Sequence, residues 1–249
     1  MKIKIILIIL ISSIIWAFFS YIVLEKNKNT NSIQEKIINI SEKSSPSVVS
    51  IIEEKDLNIF ELNNWSLFNN KVWWWSGFFI NKDWIIITSK HVVKNINSKY
   101  IIILNNWKKY NSKIIYSDKN KDIALLKIIS TEKFSSLPLK FVEEKTNLKI
   151  WQFILAIWNS FTEFNNSVSF WIISWLNRKI ENNYIKQENL IQTDANINPW
   201  NSWWPLINLE WKVIWINTLI INWNSNIWFA VKINKEEINK ILGKIKILD

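Results

Sequence analysis

Three polar residues stand out because of the segments that contain them. His91 follows an apolar run, Asp122 directly precedes another, and Ser202 lies in a loop-like segment between Pro199 and Pro205. A serine, a histidine and a carboxylate are the residue types that together carry out nucleophilic acyl transfer. Taken singly, a lone histidine is more often structural, and an aspartate ahead of a strand is more often a turn residue. The assignment of catalytic roles to these residues therefore depends on considering the three segments together.

Tryptophan is over-represented in this chain and glycine is nearly missing. The 249 residues include 18 tryptophans and 2 glycines, whereas average usage would give about 17 glycines. Glycine serves where the backbone needs a positive φ or where another group approaches closely. A non-glycine residue in the left-handed region costs roughly 1–2 kcal/mol. The residues around Ser202, namely Trp200, Trp203 and Trp204, stand in a segment that needs tight turns.

We interpret most of these tryptophans as glycines, encoded by UGA codons that the organism translates as glycine. The alternative is a protein that is truly rich in tryptophan, with an aromatic surface for a membrane or a sugar. The tryptophans cluster at motif positions rather than on one periodic face, which favours the first interpretation. UGG codons at positions 200, 203 and 204 would exclude it.

The N-terminal segment predicts a membrane anchor. Lys2 and Lys4 precede an apolar run from Ile5 to Leu24 that only small hydroxyl residues and Tyr21 interrupt. A helix of about 20 residues spans a hydrocarbon core of about 30 Å, and cleavable signal peptides usually have a shorter apolar core. We therefore expect residues 1–24 to form an uncleaved, single-pass anchor in the cell membrane. Lysines ahead of the run place the following chain on the extracytoplasmic side.

The rest of the chain predicts a polar linker over residues 25–45 and then β structure. Nine short runs rich in isoleucine and valine predict strands at 48–52, 78–80, 84–88, 100–104, 123–128, 153–157, 168–174, 213–218 and 227–231. Many short strands between turns indicate barrels or a sandwich. Asn234 followed by Glu237 resembles a helix N-cap with its partner. A terminal helix is therefore expected over about 235–242, with Gly243 near its end.

The overall composition limits which binding partners and cofactors we expect. The chain carries 31 lysines and arginines against 21 aspartates and glutamates, a net charge of +10. Because the lysines are scattered, we attribute this charge to an AT-rich genome and expect no nucleic-acid partner. The absence of cysteine from the sequence excludes a disulfide framework and a thiolate metal site. We expect neither a metal nor a cofactor.

With glycine at the tryptophan positions, several segments read as motifs of one family. They are GGGSGFFINKDGIIITSKHVV at 73–93, AIGNSF at 156–161, SFGIISGLNR at 169–178, NPGNSGGPL at 198–206 and EGKVIGINTLIINGNSNIGFAV at 210–231. From about residue 45 to 240, the sequence resembles the HtrA (Deg) family of trypsin-like serine proteases. The run IQTDANINPGNSGGPL from Ile191 is highly specific for that family, and the order His, Asp, Ser is the one that chymotrypsin-type proteases use.

The resemblance implies an all-β fold of two perpendicular six-stranded β-barrels within a protease domain at 46–242. The first barrel would cover about 46–140 and the second about 145–231, with the active site in the cleft between them. The family pattern makes Ser202 the nucleophile, His91 the general base and acid, and Asp122 the residue that orients the imidazole. Asp118 matches a second acidic position of the family, not the catalytic one. The oxyanion hole would consist of the backbone N–H groups of Ser202 and of residue 200, where Trp200 stands for a presumed glycine.

The resemblance also indicates a specificity pocket between the loop before the nucleophile and a later strand. Its candidate substrate-binding residues are Asn196, Ile197, Asn217, Thr218 and Leu219. The position six residues before Ser202 is Asn196, which carries no charge. We therefore expect small or medium apolar side chains at the residue whose carbonyl is attacked.

The family implies a membrane-anchored endopeptidase that cleaves unfolded or damaged cell-envelope proteins through an acyl-enzyme. Its members assemble as homotrimers through their protease domains, which we extend to this chain as an expectation. The alternative function is an inactive relative that binds exposed apolar segments as a chaperone. Family members commonly carry PDZ domains after the protease. None is recognised up to Asp249, so we do not expect activation through a PDZ domain.

Overall fold

A computed structural model describes residues 2–56, 75–119, 121–132, 137–159, 167–181, 186–195, 205–220 and 228–245. The chain divides into two compact units, residues 1–40 and 41–249. Helix α1 (Lys2–Ser44) is followed by a 3-10 turn (Ser45–Ser47). The stretch 25–45, predicted to be a polar linker, is therefore helical up to Ser44.

The apolar side chains of α1 between Ile11 and Leu24 are largely exposed, and Trp16 keeps 77% of its surface accessible. Among the described residues, no helix combines the length and the apolar character that crossing a membrane requires. The anchor over residues 1–24 therefore stays a prediction.

Six strands form a closed barrel in the first half of the second unit. They are β1 (Val48–Glu53), β2 (Trp75–Phe79), β3 (Ile85–Thr88), β4 (Tyr100–Ile103), β5 (Lys109–Ser117) and β6 (Ala124–Ile129). Neighbours pair in the order β1-β2-β3-β6-β5-β4, and β4 closes onto β1. Isoleucine, valine and leucine side chains fill the interior, since β-branched residues suit a pleated, buried surface. The six-stranded first barrel predicted from the sequence is confirmed.

Gly77, one of the two glycines in the chain, lies at a close approach inside this barrel. A Cβ atom there would come within 2.8 Å of Ile86 Cγ2 and within 2.9 Å of the backbone carbonyl oxygen of Ile87. Because real Cβ atoms do not approach other atoms so closely, β2 and β3 pack at their present spacing only with glycine at this position.

Seven strands form the second sheet. They are β7 (Lys140–Phe141), β8 (Phe153–Trp158), β9 (Ser167–Glu181), β10 (Lys186–Thr193), β11 (Pro205–Asn208), β12 (Lys212–Ile220) and β13 (Trp228–Lys232). Their order is β11-β8-β9-β10-β13-β12-β7, and β11 also pairs with β12. A separate apolar cluster, which includes Ile154, Ile173 and Ile214, fills this half. The second six-stranded barrel, perpendicular to the first, stays a prediction.

Helix α2 (Lys235–Ile245) follows β13 and confirms the predicted terminal helix. The side chain of Asn234 caps it by accepting a hydrogen bond from the Glu237 N–H at 2.8 Å. Ile238, Ile241 and Ile245 are buried and fix the helix on the domain. The helix ends at Ile245, three residues beyond the predicted end. Gly243 therefore lies within its last turn and not after it.

Tryptophan occupies four of the six non-glycine positions with positive φ in the described part of the chain. These are Trp84, Trp107, Trp151 and Trp211, with φ between 61° and 69°. Trp107 and Trp211 each donate their backbone N–H to the carbonyl three residues earlier, in the tight turns before β5 and β12. Such turn positions favour glycine.

Replacing Trp151 with glycine is therefore expected to stabilise the chain by about 1 kcal/mol. The indole is 74% exposed and its φ is 69°, so little burial is lost when the left-handed strain is relieved. Urea unfolding measures the change. The matched control is Ile129→Gly in β6, where the side chain is 56% exposed and glycine in a strand is expected to destabilise by a similar amount. A destabilised Trp151→Gly protein would contradict the assignment of strain to this turn.

Candidate active site

Two neighbouring strands of the first barrel deliver His91 and Asp122. Strands β3 and β6 are antiparallel, with Thr88 opposite Ala124. His91 follows the end of β3 by three residues, and Asp122 precedes the start of β6 by two. In an antiparallel pair, the end of one strand lies beside the start of its neighbour. Residues 31 positions apart in sequence therefore meet at one edge of the barrel.

Asp122 holds His91 through two hydrogen bonds. His91 Nδ1 lies 2.7 Å from Asp122 Oδ2, and the His91 backbone N–H donates to Asp122 Oδ1 at 2.9 Å. Both side chains are about one-third exposed. A carboxylate acceptor favours the tautomer that carries its proton on Nδ1, so the ring's lone pair is on Nε2. This is the arrangement that a general base requires.

The pKa of the Asp122 carboxyl is lowered from its ordinary value. Burial alone would raise this pKa, but the hydrogen bonds and the charge of His91, together with Ser89, more than offset the burial. Asp122 is therefore ionised at neutral pH. An ionised carboxylate stabilises the positive imidazolium that forms when His91 accepts a proton.

Ser89 is a residue that the sequence reasoning missed. Its side chain is completely buried, and its hydroxyl has no hydrogen-bond partner of ordinary geometry among the described residues. It nevertheless contributes to the lowered pKa of Asp122. The only signal in the sequence was its position two residues before His91.

An open cavity of about 650 Å³ adjoins the imidazole. Its lining combines apolar and charged side chains, among them Ile51, Glu53, Asp56, Lys94 and Tyr100. The indole of Trp75 also lines it and packs edge-on against the His91 ring, with 5.3 Å between ring centroids. Glycine at position 75 would remove this indole and enlarge the space beside the histidine.

The other predicted site residues are described in part or not at all. Ser202, Trp200, Asn196 and Ile197 lie outside the described residues. The candidate specificity residues Asn217, Thr218 and Leu219 lie on β12, and the structure describes only their backbone.

Asp118, the second acidic position, bonds to neighbouring residues of its own turn. Its Oδ2 accepts a hydrogen bond from the Tyr116 hydroxyl at 2.6 Å, and its Oδ1 accepts one from the Lys121 N–H at 3.0 Å. Asp118 therefore braces the turn before Asp122.

Comparison with known proteins finds similarity in the region that contains His91 and Asp122. Residues 75–215 match the family model described as a trypsin-like peptidase domain. The chain is 38% identical over 167 residues to a probable periplasmic serine endoprotease, DegP-like, of Rickettsia prowazekii, covering 64% of this chain and 31% of that protein. It is 34% identical over 212 residues to serine protease HTRA1A of Danio rerio, covering 83% and 42%. A putative serine protease HhoA of Synechocystis is 35% identical over 162 residues, covering 64% and 40%.

The closed barrel, the His–Asp pair at its edge and the matched family model define a trypsin-like peptidase domain. The relatives narrow the class further, and the chain belongs to the HtrA-type trypsin-like serine proteases. The matched regions span between about a third and two-fifths of the length of these relatives.

Proposed function

We propose that this protein is a serine endopeptidase that hydrolyses peptide bonds through an acyl-enzyme on Ser202. The observation that carries the proposal is the His91–Asp122 pair, with 2.7 Å between Nδ1 and Oδ2. The names of the relatives, which are serine proteases, support the same activity. The nucleophile assignment rests on the motif around Ser202, which matches the family once glycine replaces tryptophan.

In the proposed mechanism, Ser202 Oγ attacks the scissile carbonyl while His91 Nε2 removes the hydroxyl proton. The backbone N–H groups of residues 200 and 202 stabilise the resulting oxyanion. His91 then gives its proton to the leaving amine, and the C–N bond breaks to leave an ester on Ser202. Water, deprotonated by His91, attacks this ester and releases the acid product and free Ser202.

The mechanism needs an open oxyanion hole, so we propose that the natural protein has glycine at positions 200, 203 and 204. The left-handed tryptophans described above, with φ between 61° and 69°, support this recoding. An indole at position 200 would obstruct the space that the oxyanion occupies. Mass spectrometry of peptides from the natural protein tests the proposal, because glycine and tryptophan differ greatly in mass. Peptides with tryptophan at these three positions would refute it.

We further propose unfolded or damaged cell-envelope proteins as substrates and an extracytoplasmic location for the protease domain. The long apolar run at 5–24, with exposed side chains from Ile11 to Leu24, supports attachment to a membrane. A homotrimer is carried over from the family, and a preference for small or medium apolar side chains in the specificity pocket follows from the uncharged Asn196. Fractionation of membranes, with and without residues 1–24, tests the anchor.

A fluorophosphonate reagent tests the catalytic proposal. An activated serine displaces fluoride and forms a stable Oγ–P bond, and an ordinary serine does not react. We expect one adduct per chain, located on Ser202, and cleavage of unfolded casein that the reagent abolishes. A protein with glycine at positions 200, 203 and 204 that binds unfolded casein without labelling or cleavage would refute the peptidase and identify the inactive chaperone instead.

A further inference from the structure

An ion pair connects the turn that carries Asp122 to helix α2. Lys121, the residue directly before Asp122, forms an ion pair through its Nζ with Glu237 Oε1 in the first turn of α2. Lys121 is about half exposed, whereas Glu237 is only 22% exposed. Asn234 caps the helix at this point, and Ile238 is buried. The first turn of α2 is therefore held in place, and the Glu237 carboxylate offers Lys121 a partner at a defined position.

Hydrogen bonds within the turn also stabilise it. The Asp118 N–H donates to the Ile123 carbonyl at 2.9 Å, and the Lys121 N–H donates to Asp118 Oδ1 at 3.0 Å. Burial raises the pKa of Tyr116 to about 12, with Asp118 and Glu237 adding to the effect. The tyrosine hydroxyl therefore stays protonated and donates to Asp118 at neutral pH. These hydrogen bonds join the residues on both sides of Lys121 to one another, so a restraint on Lys121 acts close to Asp122.

We propose that Lys121 and Glu237 are positioning residues for Asp122. Both carboxylate oxygens of Asp122 bond to His91, one to the ring and one to the backbone. Both bonds are made in only one placement of the turn, and a small displacement of the turn lengthens them together. The ion pair to α2 fixes that placement. The inference rests on the proposed peptidase function, because it assigns these residues to the orientation of its general base.

The test uses Lys121→Gln, Glu237→Gln and the double variant in the protein with glycine at positions 200, 203 and 204. His91 is the only histidine, so its Nδ1–H gives a single downfield proton resonance. We expect each single variant to move this resonance upfield and to lower kcat roughly threefold to tenfold, with KM unchanged. This loss is smaller than the roughly 10²-fold that a misplacement of about 1 Å causes. The double variant should be no worse than either single one.

Lys235→Gln is the matched control, since Lys235 lies on the same helix and pairs with Glu143 at 2.9 Å. It should leave both readouts unchanged. An unchanged resonance in the Lys121 and Glu237 variants, or an equal change in the control, would overturn the proposal. The resonance is measured in the Ser202→Ala background as well. A shift without peptidase activity in the parent would refute the proposed function and retain this inference.

Discussion

Replacing Ser202 with alanine is expected to lower kcat for peptide hydrolysis about 10⁶-fold, in the protein with glycine at positions 200, 203 and 204. The variant lacks the oxygen that attacks the carbonyl, so no acyl-enzyme forms. Binding and the oxyanion hole remain, and a residual acceleration of about 10³-fold to 10⁴-fold over water is expected from them. Initial rates on a fluorogenic peptide measure the loss, and KM should change little.

Ser130→Ala is a matched control, because Ser130 lies just after β6 and its hydroxyl accepts a hydrogen bond from the Glu132 N–H. Its activity should equal that of the parent. Equal activity in the Ser202→Ala protein and the parent would show that another group performs the hydrolysis.

Asp122→Asn is expected to lower kcat about 10⁴-fold while the fold persists. Asparagine keeps the shape of aspartate, and its carbonyl oxygen still accepts the His91 backbone N–H. Its amide nitrogen, however, donates towards Nδ1 and favours the tautomer with the proton on Nε2. In that tautomer His91 cannot accept the proton of Ser202. Steady-state kinetics measure the loss, and the downfield Nδ1–H resonance should disappear.

Asp118→Asn separates this tautomer effect from a general loosening of the turn. Asp118 lies in the same turn but bonds to Tyr116 and Lys121, so its replacement should lower kcat less than tenfold. A loss as large as that of Asp122→Asn would show that the turn, and not the carboxylate beside His91, limits turnover.

The sequence predicted the strands that are rich in β-branched residues and missed the polar or very short ones. All nine predicted runs overlap observed strands, whereas β5, β7, β10 and β11 were not predicted. Strand β10 reads KQENLIQT and β11 is four residues long with proline first. Intrinsic preference for strands is low in both, and pairing with neighbouring strands decides their conformation.

At the candidate active site, residue types and motifs in the sequence identified His91 and Asp122. They did not predict which other side chains contact this pair or the turn beside it. The contact of His91 with Asp122 was expected from the family pattern, and the structure gives its geometry. The buried hydroxyl of Ser89 and the ion pair of Lys121 with Glu237 were not expected. The latter joins residues 116 positions apart, and no local pattern encodes such a contact. Only the packing of α2 against the barrel brings the two side chains together.

The His–Asp pair is complete within the first barrel. Its two side chains come from the ends of β3 and β6, whereas the nucleophile motif leads directly into β11 of the other sheet. Both side chains thus come from the first barrel, while helix α2, which follows the second sheet, contacts the turn that carries Asp122. A substitution in the second sheet can therefore disturb the proposed nucleophile while the contact between His91 and Asp122 persists.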